Sequence, residues 1–147
     1  MFAPPGRGLY PSGMPFIIAN KIATLDKRTL FLLDGMGALL SALLLGGVLP
    51  RFPELFGMPQ LILHSLALMA FLLALSGLLN ALKLFGTRRV LLWMTVVGNA
   101  FYIALTASFV ILFAAELKPL DFAYFIGEMA IIATLASIEY RAWKLNP

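Results

Sequence analysis

Four long apolar runs occupy most of this chain, and they constrain its fold more than any other feature. They cover roughly residues 30–49, 61–85, 90–115 and 120–140. A helix rising about 1.5 Å per residue needs about 20 apolar residues to cross a hydrocarbon core of about 30 Å, and each run meets that length. Pro50 closes the first run, "RFPELFGMPQ" precedes the second, "GTRR" separates the second from the third, and Pro119 opens the fourth, a position that suits the first turn of a helix. The links are short, so consecutive helices must be antiparallel neighbours. The predicted fold is all-α: an integral membrane four-helix bundle with up-down topology.

Composition agrees. The chain is 61% hydrophobic and 12% charged, with a mean hydropathy of +0.94, whereas a soluble domain is about half apolar and a quarter charged. The net charge of +4 does not point to nucleic acid, because the basic residues flank apolar runs and no basic stripe carries aromatics for stacking. Arg7, Lys21, Lys27, Arg28, Lys83, Arg88, Arg89, Arg141 and Lys144 fall on one side of the predicted membrane, and only Arg51 and Lys118 on the other. This bias places both termini in the cytoplasm. Trp93, Tyr140 and Trp143 lie near that boundary, where they would act as interfacial anchors.

The domain layout follows. Residues 1–28 form a cytoplasmic tail, residues 29–143 the transmembrane domain and residues 144–147 a short C-terminal tail. "MFAPPGRGLYPSGMP" is too rich in proline and glycine for a helix and has no apolar core of a signal peptide. "FIIANKIATLDKRT" could lie on the membrane as a short amphipathic helix.

Chemistry is sparse. There is no cysteine and a single histidine, which removes thiolate sites, multi-histidine zinc and bis-histidine haem within one chain. Neither a nucleophile–base pair nor a metal cluster shares one depth, so no enzyme is expected. His64, about a turn inside the boundary in "MPQLILHS", could ligate haem or chlorophyll, or simply hydrogen-bond at the headgroup level. No cofactor is expected beyond lipid.

The remaining polar residues form one stripe per helix, the pattern of a hydrogen-bonded interior with a lipid-facing exterior. The first helix offers Asp34 and Ser41, the second Ser65, Ser76, Asn80 and Lys83. The third offers Thr95, Asn99, Tyr102 and Thr106, and the fourth Asp121, Tyr124, Glu128 and Glu139. By helical rise Asp34 sits about 6 Å inside the cytoplasmic boundary, level with Asn80 and close to Lys83. Those two are its expected partners, with Arg28 as the alternative, and its expected role is to orient the first helix. Glu128 comes out about 10 Å below the outer surface, near Tyr102, Thr106 and Ser108 and with no base at that depth. It is expected to be neutral and hydrogen-bonded. Either it is a proton or cation site, or it fixes helix packing. Gly37, Ser41, Ala42, Gly46 and Gly47 give the first helix small-residue spacing for a close helix contact.

At "LFLLDGMGALLSALLLGGVLPRF" and "FGMP", then the pair Asn99 and Tyr102 and "YFIGEMAIIATLASIEY", the chain resembles a group of small four-span bacterial membrane proteins without assigned function. The resemblance covers about residues 29–140. It implies a bacterial inner-membrane location and adds no activity. Two functional expectations follow from the residues. The first is an accessory or structural subunit of a larger membrane assembly, from small size, short loops and the glycine-rich first helix. The second is a small proton- or cation-coupled transporter acting as an oligomer, with Glu128 as its midplane acid. Lipids and other membrane subunits, or further copies of the chain, are the expected partners.

Overall fold

A computed structural model describes residues 26–82 and 88–145, so Lys83 and the first ten residues, 16–25, of the amphipathic segment expected before the first helix lie outside the described residues. Four helices make up the fold: α1 (Lys27–Leu43), α2 (Gln60–Ala81), α3 (Arg88–Leu112) and α4 (Pro119–Leu145). Helix α1 runs on through a wide π turn (Leu44–Val48) and a tight 3₁₀ turn (Leu49–Arg51). All four are long and apolar enough to cross a membrane. The third run is helical only to Leu112, and the fourth extends to Leu145, which takes in the first two residues of the expected C-terminal tail.

Pro50 accounts for the irregular end of α1. It has no N–H to donate to the Gly46 carbonyl, and its ring excludes a regular turn there. The helix adapts by widening, with the Leu49 N–H reaching back to the Leu44 carbonyl. Helix α4 begins at Pro119, whose missing N–H costs nothing in a first turn.

The surface is apolar and the interior partly polar. Leu61, Ile111 and Leu112 are each about three-quarters exposed, whereas Asp34, Asn99, Asp121, Glu128 and Glu139 are buried. That inversion suits a bundle whose solvent is hydrocarbon.

Small residues set the tightest contact. A Cβ on Gly77 would lie 2.9 Å from the Cα of Gly35, and one on Gly35 would lie 3.0 Å from the backbone nitrogen of Leu78. Backbone thus meets backbone where α1 crosses α2. Of the small residues expected to do this, Gly46 approaches Ala67, Gly37 only touches Leu135, and Gly47 has open space around it. The crossing uses Gly35 instead, because it lies on the α2-facing side with Phe31 while Gly37 is turned toward α4.

The polar stripe expected on α2 also needs correction. Ser65 and Ser76 are exposed, and the buried face of α2 is Leu63, Leu66, Ala70, Ala74, Gly77, Asn80 and Ala81. The Ser65 hydroxyl donates to the Leu61 carbonyl at 2.8 Å. A serine satisfied one turn back on its own helix can face lipid without an unpaired group.

Two apolar clusters close the bundle. Phe31, Ala81, Leu91 and Leu92 pack at the end bearing Lys27 and Arg89. Leu45, Leu49, Met58, Leu63, Leu66 and Phe125 pack toward the other. At the first end Trp143 stacks on Tyr140 and Trp93 with centroids 5.8 and 5.1 Å apart, and the Arg89 guanidinium lies 5.1 Å from its ring. These rings tie the start of α3 to the end of α4. At the opposite end, Lys118 donates its ammonium protons to the carbonyls of Pro53 and Glu54, at 2.9 and 2.8 Å.

Candidate functional site

Between the two apolar clusters lie two polar centres. The first joins three helices. Asn99 on α3 donates from Nδ2 to Asp34 Oδ1 on α1 at 2.8 Å, and to Glu139 Oε2 on α4 at 3.3 Å. Asp34 was expected to bond Asn80 or Lys83. Its partner is Asn99, and Arg28 is exposed. Asn80 is buried on α2, but the Gly35–Gly77 crossing brings α1 and α2 together by backbone. The polar side of α1 is left to face α3 and α4. Glu139, one residue from the end of the expected fourth run, is the member of this centre missing from the candidate residues. Its place on the Asp121–Glu128 face was the available signal.

The second centre lies on α4 and α3. Glu128 Oε1 accepts from the Tyr102 hydroxyl at 3.2 Å and from the Tyr124 hydroxyl at 3.4 Å. Both are longer than the usual O–H···O distance of about 2.7–2.8 Å, so the carboxyl is loosely held. Its second oxygen, Oε2, is buried with no partner at hydrogen-bond distance among the described residues, and the Ser41 hydroxyl of α1 is the other polar group that interacts with this carboxyl. Such a group loses its hydration without replacement and is costly to keep.

A cavity of about 310 Å³ connects the two centres. Asp34 and Ser41 of α1 line one wall, and Tyr124 and Glu128 of α4 the other. Asn99 and Tyr102 of α3 lie behind, with Ala70 and Leu73 of α2. The volume is at the lower end of the about 300–1,000 Å³ typical of small-molecule sites. The π turn begins at Leu44, which also lines the cavity. Single π turns inside α-helices recur at functional sites, because they displace the following side chains from the regular register.

Asp121, about two turns before Glu128 on α4, has a different role. Its Oδ2 accepts from the backbone N–H of Gly57 at 2.6 Å and of Lys118 at 2.9 Å. It caps the entry to α4 and pins the α1–α2 connection against it. Gly57 is required there, since a Cβ would run into the Glu116 carbonyl.

The other expected residues fall as follows. Thr95 and Thr106 are buried on α3 beside Asn99 and Tyr102, while Ser108 is exposed and bonded to the Ala104 carbonyl. His64 is exposed, and its Nδ1 donates to the Gln60 carbonyl at 2.7 Å, one turn back on its own helix. Among the described residues no three His, Cys, Asp or Glu side chains are grouped to hold a metal.

Comparison with known protein families, with characterised proteins and with solved structures finds no match. What stands of the resemblance is its coarse form, four helices able to span a membrane. Function must be argued from the site itself.

Proposed function

We propose that this protein is a small proton- or cation-coupled transporter of the bacterial inner membrane, with both termini cytoplasmic, working as an oligomer. One observation carries the reading: a buried, loosely held carboxyl, Glu128, with one oxygen lacking a hydrogen-bond partner among the described residues, borders a cavity that also reaches Asp34. Intramembrane acids are costly, and they persist where an ion or proton is bound. Glu128 is the coupling acid in this reading, Tyr102 and Tyr124 hold it, and the Asp34–Asn99–Glu139 centre exchanges protons with the cytoplasmic side.

The test is flux in proteoliposomes with an internal pH-sensitive dye. Glu128→Gln keeps a neutral hydrogen-bonding side chain, so the protein should fold and lose pH-dependent flux. Normal flux from that variant would overturn the proposal.

An accessory or structural subunit is the second reading, and one feature favours it. Met36, Leu40 and Leu43 form an apolar stripe on the outward face of α1, each about 60% exposed, beside the open Gly47. Such a seam fits another helix as well as lipid. Gentle extraction and native mass spectrometry separate the two. Stoichiometric companion proteins favour the subunit, and a homo-oligomer favours the transporter.

A further inference from the structure

The cavity between α1 and α4 is open on one side. Its rim includes Leu40, Gly127 and Ile131, and all three are exposed on the surface that faces hydrocarbon in a membrane. Leu40 and Ile131 are 59% and 64% exposed. At Gly127 a side chain would meet nothing within 4 Å. A molecule dissolved in the bilayer can therefore reach the interior between these two helices without crossing an apolar cluster.

What waits inside is chemically one-sided. The lining carries two carboxyl groups, Asp34 and Glu128, and two tyrosine rings, and among the described residues no lysine, arginine or histidine. Ser41 and Asn99 are the other polar members, and the rest is aliphatic side chain or glycine. Both acids are more than nine-tenths buried, and Glu128 Oε2 has no hydrogen-bond partner among the described residues. Aliphatic walls accept an apolar body. Carboxyls and aromatic faces favour a positive head over a neutral or negative one.

We infer that the cavity is a binding site for a lipophilic organic monocation, an alkylammonium with an apolar tail, entering sideways from the bilayer between α1 and α4. This rests on the transport reading and names its substrate class. The ammonium head sits at Glu128 between Tyr102 and Tyr124, and the tail lies against Leu40 and Ile131 toward the lipid. When the cation enters, the proton on Glu128 leaves, so one positive charge replaces another and the site stays neutral. The groups facing Glu128 are Tyr102 from α3, Tyr124 from its own helix, and Ser41 and Asp34 from α1. Helix α2 contributes only Ala70 and Leu73 to the lining. Binding is then exchange for a proton, and it weakens as pH falls, by up to about tenfold per pH unit for one proton.

The experiment uses the full chain in lipid nanodiscs and radiolabelled hexyltrimethylammonium, with empty nanodiscs as the partition blank. Saturable binding is expected, displaced by unlabelled hexyltrimethylammonium but not by hexanol or hexanoate. Glu128→Gln should weaken it at least tenfold. Gly127→Leu, which narrows the mouth without touching the acid, should do the same and guards against loss of the carboxyl acting through the fold. Ser137→Ala, exposed and bonded to its own helix at the Ala133 carbonyl, should bind as wild type. Uptake equal to that of empty nanodiscs, or displacement by hexanol as effective as by the cation, would overturn the assignment. The two readings fail separately. Glu128-dependent proton flux without saturable probe binding removes the cation site and keeps the transporter. Saturable binding without flux does the opposite.

Discussion

Helix α1 meets α2 and α4 in opposite ways. Toward α2 it closes completely, with Gly35 against Gly77 and backbone in contact with backbone. Toward α4 it leaves a cavity of about 310 Å³ with a carboxyl on each wall. The first contact is made where side chains are missing, and it gains from dispersion between closely packed backbones. The second is held apart by polar side chains that bond through α3, Asp34 to Asn99 and Glu128 to Tyr102. In hydrocarbon, where apolar burial drives no association between helices, these are the two available devices. One makes a fixed joint, and the other makes a seam able to admit something.

Substitutions can break either side of that contrast. The largest effect should come from Gly77→Leu. Its Cβ alone would lie 2.9 Å from the Gly35 Cα, and overpacking of a close contact costs about 1–3 kcal/mol even where side chains can shift. Here the obstacle is backbone, so no monodisperse protein is expected on size-exclusion chromatography. Asp121→Ala comes next. It removes two charge-assisted bonds, from Gly57 and Lys118, and should cost about 3 kcal/mol, read as a lower Tm in nanodiscs. Asn99→Leu leaves two buried carboxyls without their shared donor and should cost about 2 kcal/mol. The smallest effect belongs to Gly37→Ala, on the α4 side of α1. Its Cβ would make an ordinary 4.0 Å contact with Leu135, and Tm should correspond to a change within about 0.5 kcal/mol. If Gly77 and Gly37 proved equally tolerant, the distinction between joint and seam would collapse.

Much of the site was legible because helical periodicity sorts residues by face. Asn99, Tyr102 and Thr106 are spaced 3 and 4 apart, and all three are buried. Asp121, Glu128 and Glu139 recur at 7 and 11 residues along α4, two and three turns apart, and all three are buried as well. The face of α2 was misread for a physical reason. Serine and histidine satisfy themselves on the preceding turn, as Ser65 and His64 do, so in a membrane helix they carry little information about which side is interior. Small residues misled similarly on α1. Gly35 and Gly37 differ by two positions, about 200° around the helix, and composition alone does not say which neighbour each faces.

By itself the sequence determined four apolar helices, their alternating direction through short links, and which side chains on α3 and α4 must avoid lipid. Those follow from length, hydropathy and a 3.6-residue repeat, which are properties of one helix at a time. Pairing was decided only in the tertiary structure. Which helix receives Asp34, where two backbones touch and where a cavity remains all depend on the rotation and separation of neighbouring helices. Rotation and separation are fixed by the joint fit of side chains from three or four helices, and no single segment contains that information.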